Sequence, residues 1–195
     1  MLFGPAQSAR AGASSLQNRL DLARAGRHTA RMPGPSNIDT LAVSQTLERS
    51  LFAQGEPRYD EALRAVADAF GAVSATLHRA DREAQLLHML AYLGLPPALV
   101  PITQRIPFGK GIAGLCAERR EPITLCNLQT DASGAARPDA KQTGVAGAIS
   151  VPVLAADGTL LGTLGIGKPH EHTYSDEEQR ILGEFAGMIG RTLQA

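Results

Sequence analysis

Ile106-Pro107-Phe108-Gly109-Lys110-Gly111-Ile112-Ala113-Gly114 is the stretch from which the fold of this chain can be read. Residues 102–106 read as the end of a strand, which Pro107 closes because proline has no N–H to give to a ladder. Gly109, Gly111 and Gly114 then supply backbone freedom that a residue with a Cβ lacks. Ile112, Leu115 and Cys116 follow at i, i+3 and i+4, one face of a short helix running to about Arg119. A strand thus turns through glycines into a helix and leaves a concave wall lined by backbone. The spacing G-x-G-x-x-G also marks dinucleotide loops, but the βαβ unit and the ribose-binding acid about 20 residues on are missing. A nucleotide site is not expected from it.

Downstream, residues 121–126 read as a further strand, and residues 127–147 as a polar, glycine-containing loop of the length usual for a functional lid or a disordered segment. Residues 148–154 and 160–166 form a hairpin whose Asp157-Gly158 pair predicts a type I′ turn. Gly162, Gly165 and Gly167 remove side-chain bulk where another backbone or a ligand must come close. Ser175-Asp176-Glu177-Glu178 is a capping box opening a helix to about Leu193. Ile181, Leu182, Phe185, Met188 and Ile189 give that helix a broad apolar stripe. Gly183, Ala186, Gly187 and Gly190 give it a second stripe, of small residues, expected to seat a neighbouring helix.

Upstream, Ser36 or Asn37 is expected to cap a helix over residues 38–54. Ile38, Leu41 and Phe52 fall on one side of it, and Val43, Leu47 and Leu51 nearly opposite, as in a bundle or across a dimer. A second helix is predicted from Tyr59 to Phe70, stopped by Gly71. From residue 72 the apolar period becomes two, and Asp81-Arg82-Glu83 turns a hairpin with residues 85–93. His78 and His88 are expected near each other across this hairpin on a solvated face; lacking a third ligand, they make no metal site. His170 and His172 flank Glu171 in what reads as a solvated loop, so no metal is predicted there either.

The 195 residues suit one domain, over residues 36–195, preceded by an extension over residues 1–35. The extension carries five arginines against the single acid Asp21 and has no apolar period, so disorder is expected up to about Pro35. A solvated tail, translated upstream sequence before Met32 and a transit peptide all fit that composition. Arginine outnumbers lysine 16 to 3, as in a GC-rich bacterial genome. The 19 basic and 19 acidic residues balance, which argues against nucleic acid as a partner. No apolar run approaches a membrane span, and no secretory signal is evident, so a cytoplasmic protein is expected. Cys116 and Cys126 then read as buried free thiols.

The order of elements argues an α+β fold on one antiparallel sheet. Over roughly residues 58–193 the chain resembles a GAF domain. The resemblance is carried by residues 106–114, by Glu121-Pro122-Ile123, by Val151-Pro152-Val153, by Asp157-Gly158-Thr159-Leu160-Leu161-Gly162 and by Tyr174-Ser175-Asp176-Glu177-Glu178. It implies helices packed on one face of the sheet and a ligand pocket on the other, roofed by the glycine turn and the long loop. GAF domains take cyclic nucleotides, bilins, haem or small metabolites, or only each other, so the cofactor is left unknown.

One enzymatic branch of that family, the free methionine-R-sulfoxide reductases, uses a cysteine nucleophile and a resolving cysteine. The resemblance would place one at Ala113 and another among Ala135, Ala136, Arg137, Pro138 and Asp139, and Cys116 and Cys126 occupy neither place. A bilin-binding member would carry a cysteine within residues 127–147, where there is none. The expectation is a non-catalytic sensory module binding a small molecule, homodimeric through its helices and signalling to a separate effector. A thiol reductase and a pure dimerisation module are the alternatives. Within the pocket, Gly109, Lys110 and Gly111 would bring backbone N–H groups, a helix start and a positive charge to a small anionic or polar group. Phe108, Ile112 and Cys116 would supply apolar wall, and Ile149 and Thr163 the floor.

Overall fold

The computed structural model describes residues 38–53, 55–133 and 142–194. The extension over residues 1–35, and residues 135–139 of the long loop, lie outside the described residues. Helices α1 (Thr40–Phe52) and α2 (Tyr59–Phe70) precede the hairpin β1 (Ser74–Asp81) and β2 (Leu86–Leu93). After a 3-10 turn at Pro97–Leu99 come α3 (Val100–Thr103), β3 (Arg105–Pro107), α4 (Gly111–Arg119) and β4 (Ile123–Leu125). The hairpin β5 (Ala148–Leu154) and β6 (Leu160–Gly167) and the last helix α5 (Asp176–Leu193) complete the domain. The six strands form one antiparallel sheet in the order β3-β2-β1-β6-β5-β4, the α+β fold expected.

Successive side chains of a strand point to opposite faces. In register across β1, β6 and β5, Ala75 pairs with Ile166 and Leu77 with Leu164, which in turn face Ile149 and Val151. These join Val43, Leu47, Leu51, Leu63, Val66, Phe70, Leu182, Phe185 and Ile189 in one core, so α1, α2 and α5 cover this face. Each large side chain buried here contributes about 1.5–3 kcal/mol relative to exposure. The other face carries Ser74, Thr76 and His78 from β1, Gly167, Gly165 and Thr163 from β6, and Ala148, Ser150 and Pro152 from β5. That face is covered by α3, α4 and the ends of the long loop.

Several local expectations are corrected. The N-cap of α1 is Asp39, whose carboxylate accepts from Ala42 N–H at 3.0 Å, in place of Ser36 or Asn37. Residues 100–103 are helical, and the strand begins only at Arg105; it is a three-residue edge strand, where Pro107 costs no ladder bond. The β5–β6 turn is not type I′, which needs two left-handed residues; only Gly158 has positive φ (+79°). Gly158 N–H instead closes a tight turn onto the Ala155 carbonyl at 3.0 Å, and a register shift at Val153/Leu154 absorbs the extra residue. On α5, Ala186 and Gly190 are buried, Gly190 against Val153 and Leu154, while Gly183 and Gly187 face open space. Half of the small-residue stripe thus serves the domain's own packing. Leu41 is 68% exposed on the outer side of α1, where Phe52 lies under Arg191 at 4.3 Å.

The predicted capping box is present: Glu178 N–H donates to Ser175 Oγ and Ser175 N–H to Glu178 Oε2. The other Glu178 oxygen, fully buried, meets His172 Nε2 at 2.9 Å and Lys168 Nζ at 3.6 Å. His172 is therefore not solvated as expected; only His170 is exposed. This buried charge cluster joins the end of β6 to the start of α5. Among the described residues no helix is long and apolar enough to cross a membrane.

Within the β1–β6 ladder the backbones leave no room for a side chain at Gly162, where a Cβ would lie 2.0 Å from the His78 carbonyl oxygen. Backbone cannot move aside without breaking the β1–β6 ladder. Gly162→Ala is expected to lower unfolding free energy by about 1–3 kcal/mol or more, read as a lower urea midpoint. An unchanged midpoint would contradict this packing.

Candidate functional site

Between the polar face of the sheet and its cover lies a cavity of about 150 Å³. Its floor stays low because β6 offers glycines: a Cβ on Gly167 would lie 2.7 Å from both Ser74 Oγ and Val145 Cγ1, and one on Gly165 3.1 Å from Thr76 Oγ1. The roof comes from two sides. Leu128 and Val145, from the two ends of the long loop, pack with Ala148 and Ile112. Leu99, Ile102 and Thr103 close the opposite side. This second wall was missed in the sequence because residues 102–106 read as strand; Leu99 and Ile102 at i, i+3 were its signal.

Of the residues expected at the site, Lys110, Gly111, Ile112 and Ile149 border the cavity. Ile149 does so from the helix side of the sheet, since alternation puts its side chain in the main core. Thr163 is on the cavity face and fully buried, yet it does not line the cavity; its Oγ1 has no hydrogen-bond partner. Phe108 packs instead against Leu87, Ile106, Ala117 and Leu160. Gly109, with φ +76°, closes the turn by donating its N–H to the Gly114 carbonyl at 2.8 Å. Gly111, also left-handed at φ +65°, opens α4, which has no side-chain cap; Gly111, Ile112 and Ala113 all face the cavity.

Cys116 is fully buried behind the lining, and Cys126 is exposed, against the expectation of two buried thiols; both are free. Burial pushes the Cys116 thiol up to about 12, with the Ser150 hydroxyl beside it opposing the shift and Glu121 adding to it. It is therefore a protonated, weakly nucleophilic thiol at neutral pH. Cys126 accepts from Thr173 Oγ1 at 3.5 Å, away from the cavity lining.

The cavity residue that sequence reasoning misplaced is His78. A bulge at Leu77/His78 pairs it with Met89, and His88 pairs with Arg79 on the opposite face, near Asp81. His78 is 1% exposed and borders the cavity. Its Nε2 lies 3.0 Å from the Thr103 carbonyl oxygen, which can only accept, so Nε2 carries the proton. Nδ1 is then a bare acceptor, buried and without a partner. Desolvation lowers the pKa of His78, with the Thr103 bond opposing, so the ring is held neutral. Ser150 Oγ, also lining the cavity, finds no conventional hydrogen-bond partner and only the Cys116 thiol beside it. Among the described residues no three His, Cys, Asp or Glu side chains gather as a metal site.

A family model described as GAF domain matches residues 58–194. The chain belongs to the GAF family. The GAF domain of a phosphoenolpyruvate-protein phosphotransferase from Coxiella burnetii superposes with a TM-score of 0.68 at 23% identity, over 80% of this chain and 92% of that one. A free methionine-R-sulfoxide reductase from Neisseria meningitidis, solved with its substrate, superposes at 0.54 and 18% identity over 80% of each chain. A GAF sensor protein of Burkholderia vietnamiensis, so described as putative in its name, gives 0.61 at 19% over 79% and 90%. No curated protein matches. At these identities the likeness establishes the fold, one shared by regulatory GAF domains and by reductases.

The buried neutral His78 makes stability pH-dependent. Its folded pKa lies below the unfolded value of about 6.5, so its contribution is complete above that pH. It is lost as pH falls from there towards the folded value, because only the unfolded chain takes up the proton. Wild type is expected to lose up to about 1.4 kcal/mol more per pH unit in that window than His78→Phe, by urea unfolding at pH 7.5 to 5. Equal slopes would mean His78 titrates normally.

Proposed function

We propose that this GAF domain is a sensory module that binds a compact small molecule in the cavity under α3 and α4 and does not transform it. The observation that carries the reading is a partly open cavity lined by His78, whose Nδ1 is buried without a hydrogen-bond partner, and by Ser150, whose Oγ has only the Cys116 thiol beside it. Leaving such an atom unmade costs about 1–3 kcal/mol, a cost that a bound polar molecule removes. A cavity of 150 Å³ suits a ligand about the size of benzene rather than a drug-sized one, and is far too small for a bilin or haem.

The reductase alternative draws on the likeness to the Neisseria enzyme, but the chemistry present disfavours it. Ala113 borders the cavity where the resemblance would put a cysteine, and a methyl group cannot attack sulfur. Cys116 is held protonated, and Cys126 stands outside. The signal would leave through the exposed side of the helical layer, where Leu41 of α1 and Gly183 and Gly187 of α5 stand open to a second copy or an effector. A protein that sediments as a monomer at high micromolar concentration would exclude the second copy.

A thermal-shift screen of small acids, amides and amino-acid derivatives tests the reading. A ligand at 100 times its dissociation constant adds about 2.7 kcal/mol to stability. Gly111→Val, which forces a β-branched residue to φ +65°, should abolish the shift, and His170→Ala should keep it. In parallel, free methionine sulfoxide should not be reduced with dithiothreitol or thioredoxin. Turnover that vanishes in Cys116→Ser or Cys126→Ser would make the protein an enzyme and overturn the proposal.

A further inference from the structure

The groups bordering the cavity select among small molecules by charge and by hydrogen-bond direction. His78 Nδ1 accepts and cannot donate, because the Thr103 carbonyl holds the ring's only proton on Nε2. At the turn stand Lys110 and the uncapped start of the nine-residue α4, with Gly111, Ile112 and Ala113 bordering the space. Helix N-termini and lysine favour negative charge. No carboxylate borders the cavity among the described residues. An ammonium group buried there would find no counter-ion among the described residues, at a cost of several kcal/mol.

We infer that the ligand is a compact monocarboxylate carrying a neutral O–H or N–H donor, of the hydroxy-acid or N-acyl class, and not a free amino acid. Its carboxylate meets the start of α4 and Lys110, and its donor satisfies His78 Nδ1. Leu99, Ile102 and Ile106 leave an apolar space for a short aliphatic body between the two. His78 is then the residue that sets specificity, since a molecule of the same shape lacking the donor leaves Nδ1 unsatisfied. A site built around one buried hydrogen bond discriminates strongly against the analogue that cannot make it. The inference rests on the receptor reading above and specifies its ligand.

Matched sets of three- to five-carbon acids test it: the 2-hydroxy acid, the N-formyl amino acid, the amino acid and the unsubstituted acid on each skeleton. Binding is measured by calorimetry, and the ¹⁵N resonances of the His78 ring are followed in the same titrations. At least one hydroxy or N-formyl acid should bind about a hundredfold more tightly than its unsubstituted and amino counterparts. It should also move the Nδ1 resonance from that of a free acceptor to that of a hydrogen-bonded one. His78→Phe should erase the preference between hydroxy and unsubstituted acid while leaving the latter's affinity in place. Should that variant fail to fold, the wild-type preference together with the Nδ1 shift decides. Tighter binding of amino acids, or of acids without a donor, would overturn the ligand class and leave the receptor reading standing. If every probe leaves the His78 resonances unmoved and Nδ1 is already bonded to water in the free protein, both fall.

Discussion

Along β1, Ala75 and Leu77 must point to one side of the sheet and Ser74, Thr76 and His78 to the other, because side chains alternate in a strand. The same alternation runs through β6 and β5, so one face is aliphatic and the other small and polar. Three long helices bury the first. The second, small and polar, could face water in an antiparallel sheet, but here it does not. It takes a thinner cover of short helices and loop ends. The hydrogen bond from His78 to the Thr103 carbonyl ties that cover to the sheet and leaves Nδ1 as the ring's bare acceptor. Fold and cavity are consequences of one pattern.

The features that the sequence made legible are those written in local chemistry. The left-handed Gly71 at the end of α2, the capping box at Ser175 and Glu178, and the apolar stripe of α5 each announce themselves within a few residues. The glycine turn was legible because left-handed backbone at Gly109 and Gly111 favours glycine over other residues. Features that depend on pairing were misread. His78 and His88 look like cross-strand neighbours until a bulge at Leu77/His78 puts them on opposite faces. Glu178 looks like a simple cap, and its contacts with Lys168 and His172 appear only once β6 and α5 meet. The wall at Leu99 and Ile102 was lost because Pro97 and Pro101 with the β-branched Val100, Ile102 and Thr103 resemble a strand end more than a helix.

The candidate site was half legible for the same reason. Lys110, Gly111 and Ile112 belong to the turn itself and stand where the sequence suggested. The floor was assigned to Ile149 and Thr163, one residue out of phase in one case and beyond the cavity's reach in the other. A polar strand face was taken for a solvated one, although a pocket on the second face of the sheet calls for polar residues there. His78 was thus in view and given to solvent. The thiols differ in kind: Cys116 is inert through burial, and Cys126 is reachable but away from the cavity.

The account stands on a buried acceptor at His78 Nδ1 that a bound molecule satisfies. A high-resolution crystal structure of protein purified from its own host, without added ligand, tests this most directly. Non-protein density is expected in the cavity, larger than a water molecule and within hydrogen-bond distance of Nδ1. A cavity holding only ordered water at Nδ1, or one filled by a neighbouring side chain, would contradict it.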